Sequence, residues 1–234
     1  MMWILRLVDR IVNLAVFLFC LLLLLAGLYS AMDTYYLYQS ASDSSVLRFR
    51  PESKKDMQVL YEDLKGSVCW LTLKDAGVDA PVMQGKDNME YLNKNPYGEF
   101  SLSGSLFLDS RNSADFSDEY SLIYGHHMDH QMMFGALDQY LDEEFLKTHT
   151  EGTLFVQEDV YDLEIFAAIE CSAYENAVFD PGRSDQLLLY LEKNGIHPDK
   201  TDSRILAMST CQYPDTMART VVLAWINDKE RSGS

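Results

Sequence analysis

The sequence is short of positive charge: 19 Lys and Arg stand against 36 Asp and Glu, a formal net charge of −17. Binding nucleic acid through its phosphates needs clustered cations, so that class of function is excluded. Cysteine is sparse as well. Cys20, Cys69, Cys171 and Cys211 lie far apart and form no CxxC pair, which gives no support for a structural zinc site or a thioredoxin-like redox site. The chain has no internal repeat and no low-complexity tract, and no residue pattern in it requires a metal or an organic cofactor. What is present is ordinary for a folded protein. The 234 residues are 47% hydrophobic and 24% charged, enough for one domain with a buried core and some accessory segments.

One apolar run is long. Residues 11–31 are broken only by Asn13, Gly27 and Ser30, and about 20 helical residues cross a hydrocarbon core of about 30 Å. Arg6 and Arg10 precede the run and Asp33 follows it. The positive-inside rule then places residues 1–10 in the cytoplasm and everything after Ala31 outside. A cleaved signal peptide shares the basic start, and Ser30-Ala31-Met32 imitates its small-residue cleavage site. Its apolar core, however, is only about 7–15 residues long, so the reading is an uncleaved single-pass anchor in the cell membrane.

Residues 32–66 read as a juxtamembrane spacer followed by a helix. Met57, Leu60, Tyr61 and Leu64 repeat at i, i+3, i+4 and i+7, an apolar stripe that packs on its own domain; Gly66 ends it. From there to residue 228 the period shortens. Strands are predicted at Val68–Leu73 and Val78–Met83 around an Asp75-Ala76-Gly77 turn, then at Ser105–Leu108, Tyr120–Tyr124, Gly152–Val156, Leu163–Ala168, Arg204–Met208 and Thr220–Ile226. Helical patterns interrupt them at Phe134–Leu146 and Ser184–Asn194, the second with Ser184 as N-cap and Gly195 past its end. Many short strands with few helices predict a closed or nearly closed β-barrel with peripheral helices. Residues 229–234 are a tail.

A thiol acts as a nucleophile when its thiolate is accessible and a base or cation lies nearby. Cys69 and Cys171 sit inside strand-like stretches and read as buried, inert thiols; Cys20 reads as a lipid-facing or packed residue of the apolar run. Cys211 ends an apolar strand and opens the polar run Gln212-Tyr213-Pro214-Asp215, while Arg219 starts the next strand eight positions on. If those strands pair antiparallel, the two residues face each other across a hairpin mouth. Arginine cannot serve as a base, but it stabilises negative charge developing on a carbonyl oxygen. The histidines available as a base are His126, His127, His130, His149 and His197. His126 and His127 leave a strand through Gly125, His149 closes a helix, and His197 precedes Pro198 in a loop. Adjacent residues of an extended segment point apart, so His126 and His127 do not read as a shared metal site.

Ser209-Thr210-Cys211 at a strand end, Arg219 before an apolar strand, and Tyr124-Gly125-His126 upstream together resemble the sortase family of Gram-positive cysteine transpeptidases. Gly104–Asn112, Met133-Phe134-Gly135 with the helix after it, and the helix between the late strands resemble class B in particular. The likeness covers roughly residues 52–227. The family's usual run before the cysteine is Thr-Leu-x-Thr-Cys; here it is Ala207-Met208-Ser209-Thr210-Cys211, so Thr210 and Cys211 match and the packing of the peptide groove departs. The resemblance implies an eight-stranded closed barrel with N-terminal helices, residues 67–228 being the catalytic domain. It implies Cys211 as nucleophile, His126 as general acid and base, Arg219 as oxyanion holder, and Ser209 and Thr210 on the peptide-binding groove. The implied reaction cleaves the C-terminal sorting motif of an exported protein after Thr and passes the thioacyl group to an amine of peptidoglycan or lipid II. A pilin lysine is the alternative acceptor, and a catalytically silent binding module or a purely hydrolytic cysteine protease are the other readings.

Overall fold

The computed structural model describes residues 2–41, 44–128, 131–200, 203–211 and 217–228. The predicted loop Gln212–Asp215, His130 and the tail lie outside them. The chain divides into two units, residues 1–40 and 41–234. The first is one helix, α1 (Met2–Ala41), 40 residues long. It contains the apolar run, which is long and apolar enough to cross a membrane. The polar, tyrosine-rich segment after that run, read from sequence as a spacer, is helical as far as Ala41.

The second unit begins with a 3-10 turn, Ser44–Phe49, and α2 (Lys54–Asp63), which starts three residues after Pro51. The Asp56 carboxylate accepts the Ser53 N–H at 2.8 Å, satisfying a donor that the helix leaves free. The predicted stripe does pack inward: Met57, Leu60 and Leu64 are buried with Phe49 and Trp70.

Eight strands follow: β1 (Ser67–Leu73), β2 (Val78–Met83), β3 (Leu106–Leu108), β4 (Tyr120–Gly125), β5 (Glu151–Val156), β6 (Asp159–Ser172), β7 (Arg204–Cys211) and β8 (Ala218–Asp228). They close into a barrel in the order β1-β2-β3-β4-β7-β8-β6-β5. Two neighbouring pairs are parallel, β2 with β3 and β4 with β7. The chain between β4 and β7 therefore makes a long excursion that supplies β5, β6 and the late helices α3 (Glu143–Thr148), α4 (Asn176–Phe179) and α5 (Ser184–Lys193).

Ile123, Leu206, Met208, Val222 and Ala224 fill the barrel interior. Their alternating neighbours Leu122, Ala207, Val221, Leu223 and Trp225 face outward and are buried under Leu187 and Leu191 of α5 and Val178 of α4. Covering both faces explains why β4, β7 and β8 read as unbroken apolar runs. Each of those α5 leucines contributes about 1.5–3 kcal/mol by leaving water.

Two local expectations need correction. The Phe134–Leu146 pattern is two pieces, a 3-10 turn at Gly135–Leu141 and then α3. Asp142 separates them and caps α3, accepting the N–H groups of Glu144 and Phe145 at 2.9 Å each. Ser184 is the first residue of α5 rather than its cap, which is Arg183. Its hydroxyl donates instead to the Glu119 carboxylate at 2.6 Å, a charged and therefore stronger acceptor. Gly195 lies just past α5 as expected, at φ +80°.

Candidate active site

β4 and β7 run parallel and end together. Tyr124 pairs with Ser209 and Gly125 with Thr210, so His126 and Cys211 are the next residue of each strand, side by side. β8 begins beside them in the opposite direction, with Thr220 opposite Thr210 and Arg219 opposite Cys211. The hairpin predicted from the Cys211–Arg219 spacing is present. His126, Cys211 and Arg219 thus meet at one rim of the barrel, each where a hydrogen-bonded strand stops or starts.

Gly125 shows why a glycine precedes the histidine. A Cβ there would stand 2.5 Å from Leu106 Cδ2 and 2.7 Å from Phe134 Cδ2, closer than packed atoms tolerate. Phe134 also donates its N–H to the His126 carbonyl at 3.1 Å, and His127 bridges Met133 across the loop. These contacts fix where the chain leaves the strand.

A cavity of about 240 Å³ opens at this rim, lined by His126, Ser209, Thr210 and Arg219 together with Asn88, Leu92, Phe107, Tyr124, Gly125, Ala173 and Phe179. His126 Nε2 lies 2.8 Å from the Leu92 carbonyl oxygen. A carbonyl only accepts, so Nε2 carries the proton and Nδ1 is the nitrogen left for proton exchange. Arg219 is the electrostatic centre. Its Nη1 is buried without a hydrogen-bond partner among the described residues, as is Ser209 Oγ. Burial is the main influence on Arg219 and lowers its pKa, while Tyr124 and Cys171 act in the opposite sense. A cation held out of water with a free N–H favours any acceptor that brings negative charge to it.

One wall of the cavity rests on a buried carboxylate. Asp109, at the end of β3, is fully buried. It accepts from Arg111 Nε and Nη2 at 2.9 and 2.8 Å, from Asn88 Nδ2 at 2.9 Å and from the Tyr124 hydroxyl at 3.0 Å. Burial by itself raises its pKa, yet these bonds bring it below the ordinary value. Arg111 also donates to the Phe179 carbonyl at 2.8 Å and so ties α4 to the end of β3. The sequence reading took this stretch only as family likeness. The partners of Asp109 are 2, 15 and 21 residues away, separations at which no sequence period signals a contact.

Cys69, Cys171 and His149 sit as their sequence contexts suggest. Cys69 is buried and its pKa is raised well above the ordinary thiol value by desolvation. Cys171, opposite Arg219 on the other side of β8, is pushed up to about 12, chiefly by burial. Both thiols are therefore protonated at neutral pH and poorly nucleophilic. Cys20 is exposed on α1. His149 caps the C-terminus of α3 and stacks on Phe145 with ring centres 3.9 Å apart. His127 turns to Asp138, its Nε2 3.0 Å from Oδ2.

Known proteins share this fold. The family model described as the sortase domain matches residues 71–226. Sortase B of Listeria monocytogenes is 34% identical over 166 residues, which cover 67% of this chain and 66% of that protein, just under two thirds of its length. Sortase B of Staphylococcus aureus is 31% identical over 187 residues, covering 76% and 75%. The crystal structure of a Streptococcus pyogenes class B sortase involved in pilus biogenesis superposes with a TM-score of 0.66 at 34% identity, covering 73% of this chain and 97% of that one. The chain belongs to the sortase family, in its class B.

Proposed function

We propose that the protein is a cysteine transpeptidase held at the membrane by α1, with Cys211 as nucleophile, His126 as general acid and base, and Arg219 as oxyanion holder. The observation that carries this reading is the meeting of three strand ends beside a cavity lined by Arg219, whose buried Nη1 has no hydrogen-bond partner among the described residues. Cys211 attacks the carbonyl of the threonine in a C-terminal sorting motif. Charge develops on that oxygen and is met by Arg219. His126 takes the Cys211 thiol proton on Nδ1 and delivers it to the departing amine, leaving a thioacyl enzyme; it then takes a proton from the incoming amine, whose attack releases Cys211, and returns that proton to the sulfur. Ser209 and Thr210 border the groove and contact the peptide.

The acceptor we favour is an amine of peptidoglycan or lipid II, which would attach surface proteins to the cell wall. The second reading, a pilin lysine, is favoured by the likeness to the pilus-biogenesis sortase. The domain plan expected from sequence stands beside this: a cytoplasmic start, a span over residues 11–31, and the catalytic unit over residues 67–228 on the outer face.

The test offers the full-length protein in detergent a pentapeptide library with triglycine as amine. The expected products are ligated peptide and, without amine, a thioacyl mass adduct on Cys211. Cys211→Ala, His126→Ala and Arg219→Ala each lower turnover at least about a hundredfold. His127→Ala keeps about tenfold more activity than His126→Ala. Loss of turnover in His127→Ala with retention in His126→Ala would reverse the assignment of the base.

A further inference from the structure

His126 and Arg219 face the cavity, and the residue after each is turned away from it. Successive side chains of extended chain alternate between faces, which takes His127 and Thr220 to the other side. Both meet the same group there. Thr220 Oγ1 donates to Asp138 Oδ1 at 2.6 Å, and His127 Nε2 lies 3.0 Å from Asp138 Oδ2. Thr220 is fully buried, and bonds to a carboxylate are among the shorter and stronger hydrogen bonds.

Asp138 stands on a firm base. It belongs to the 3-10 turn Gly135–Leu141, whose Ala136, Leu137 and Tyr140 are buried in the barrel core. The turn is joined to the histidine loop by the Phe134 N–H on the His126 carbonyl at 3.1 Å. One carboxylate thus reaches from the chain just past β4 to the first residues of β8. Between those two strands lies β7, ending in Cys211.

We propose that Asp138 is a positioning residue that acts through His127 and Thr220 to fix the spacing of His126 and Arg219 on either side of Cys211. This deepens the catalytic reading above and rests on it. The proton-transferring ring and the oxyanion donor come from different strands, and catalytic groups tolerate displacements of only about 0.5 Å. Backbone pairing sets the strand ends to within thermal motion, but it stops at Gly125–Thr210 and at Cys211–Arg219. Asp138 provides a further cross-link just past the point where the β4–β7 pairing stops.

The test uses the full-length protein in detergent with triglycine and the peptide that gives most ligation in the library assay. Thr220→Val keeps the volume and removes only the hydroxyl; Asp138→Ala removes the whole brace. Each is expected to lower kcat about tenfold with KM within about twofold. The double variant should lose little more than either alone, because both act through one carboxylate. Asp138→Asn, which keeps one acceptor oxygen, should recover part of the loss. Thermal unfolding is recorded for every variant. Wild-type kcat in folded Thr220→Val and Asp138→Ala overturns the proposal. So do losses that only follow the unfolded fraction, or losses that multiply in the double variant. Cys211→Ala and His126→Ala run alongside. If they retain turnover, the catalytic reading falls and the brace with it; if they are inactive while the Asp138 and Thr220 variants are normal, the brace alone falls.

Discussion

Asp109 is a carboxylate with its side chain wholly out of water, and its negative charge is held there by Arg111, Asn88 and Tyr124. Its folded pKa lies below the ordinary value, so folding favours the ionised form. The contribution is fully present above the unfolded aspartate pKa of about 3.9 and is lost as pH falls through the lower folded value. Asp109→Asn removes that titration while nearly keeping the shape. We expect the variant to melt at lower temperature than wild type at neutral pH, and the gap to narrow as pH falls from about 5 towards 2. Because the same hub ties Phe179 to the cavity wall through Arg111, its KM for peptide should rise. Melting curves across that pH range, with peptide kinetics at neutral pH, decide the matter; parallel pH profiles for the two proteins would remove Asp109 from the account. Little of this hub was legible in the sequence, since its bonds join residues with no shared period. Cys211 and Arg219 were legible because a spacing of eight positions across a hairpin mouth sets them opposite each other, as the register shows.

At the level of elements, apolar runs announced the strands buried on both faces, and β4, β7 and β8 begin and end within three residues of their expected limits. β6 was the poorest match. It runs from Asp159 to Ser172, whereas only Leu163–Ala168 was expected, because its ends alternate with exposed polar residues and owe their extension to pairing with β5 and β8. Pairing between distant segments is invisible to a local period. The end of β4 carries the sharpest demand on sequence. Gly125→Ala places a methyl against Leu106 and Phe134, and neither neighbour has free space, since both are buried in the core. Overpacking of this kind costs about 1–3 kcal/mol. The strain falls on the residue that leads into His126, so turnover should drop more than stability does. Calorimetry and ligation kinetics on the same preparation check this, and a variant with wild-type values of both would mean that the site yields without cost.

The two units of the chain have separate physical tasks. α1 has 40 residues, about 60 Å at 1.5 Å per residue, twice the thickness of a hydrocarbon core. If residues 11–31 span the membrane, Met32–Ala41 continue the helix about 15 Å beyond it. The second unit has its own closed barrel and buried core, and none of the described residues that line the cavity belongs to α1. Deleting residues 2–31 should therefore leave kcat for soluble peptide and triglycine within about twofold of the full-length value. Ligation to a lipid-linked amine in vesicles should fall much further, because tethering both reactants to one surface raises their effective concentration by orders of magnitude. The two assays separate the roles. Equal loss in both would mean that the helix is needed to fold the barrel, and no loss in vesicles would mean that membrane attachment does nothing for the reaction. Orientation adds a third measurement, since Arg6 and Arg10 should hold the N-terminus inside. Protease added to intact protoplasts should then digest the barrel unit while leaving a tag at residue 1 protected, and the opposite pattern would invert the topology.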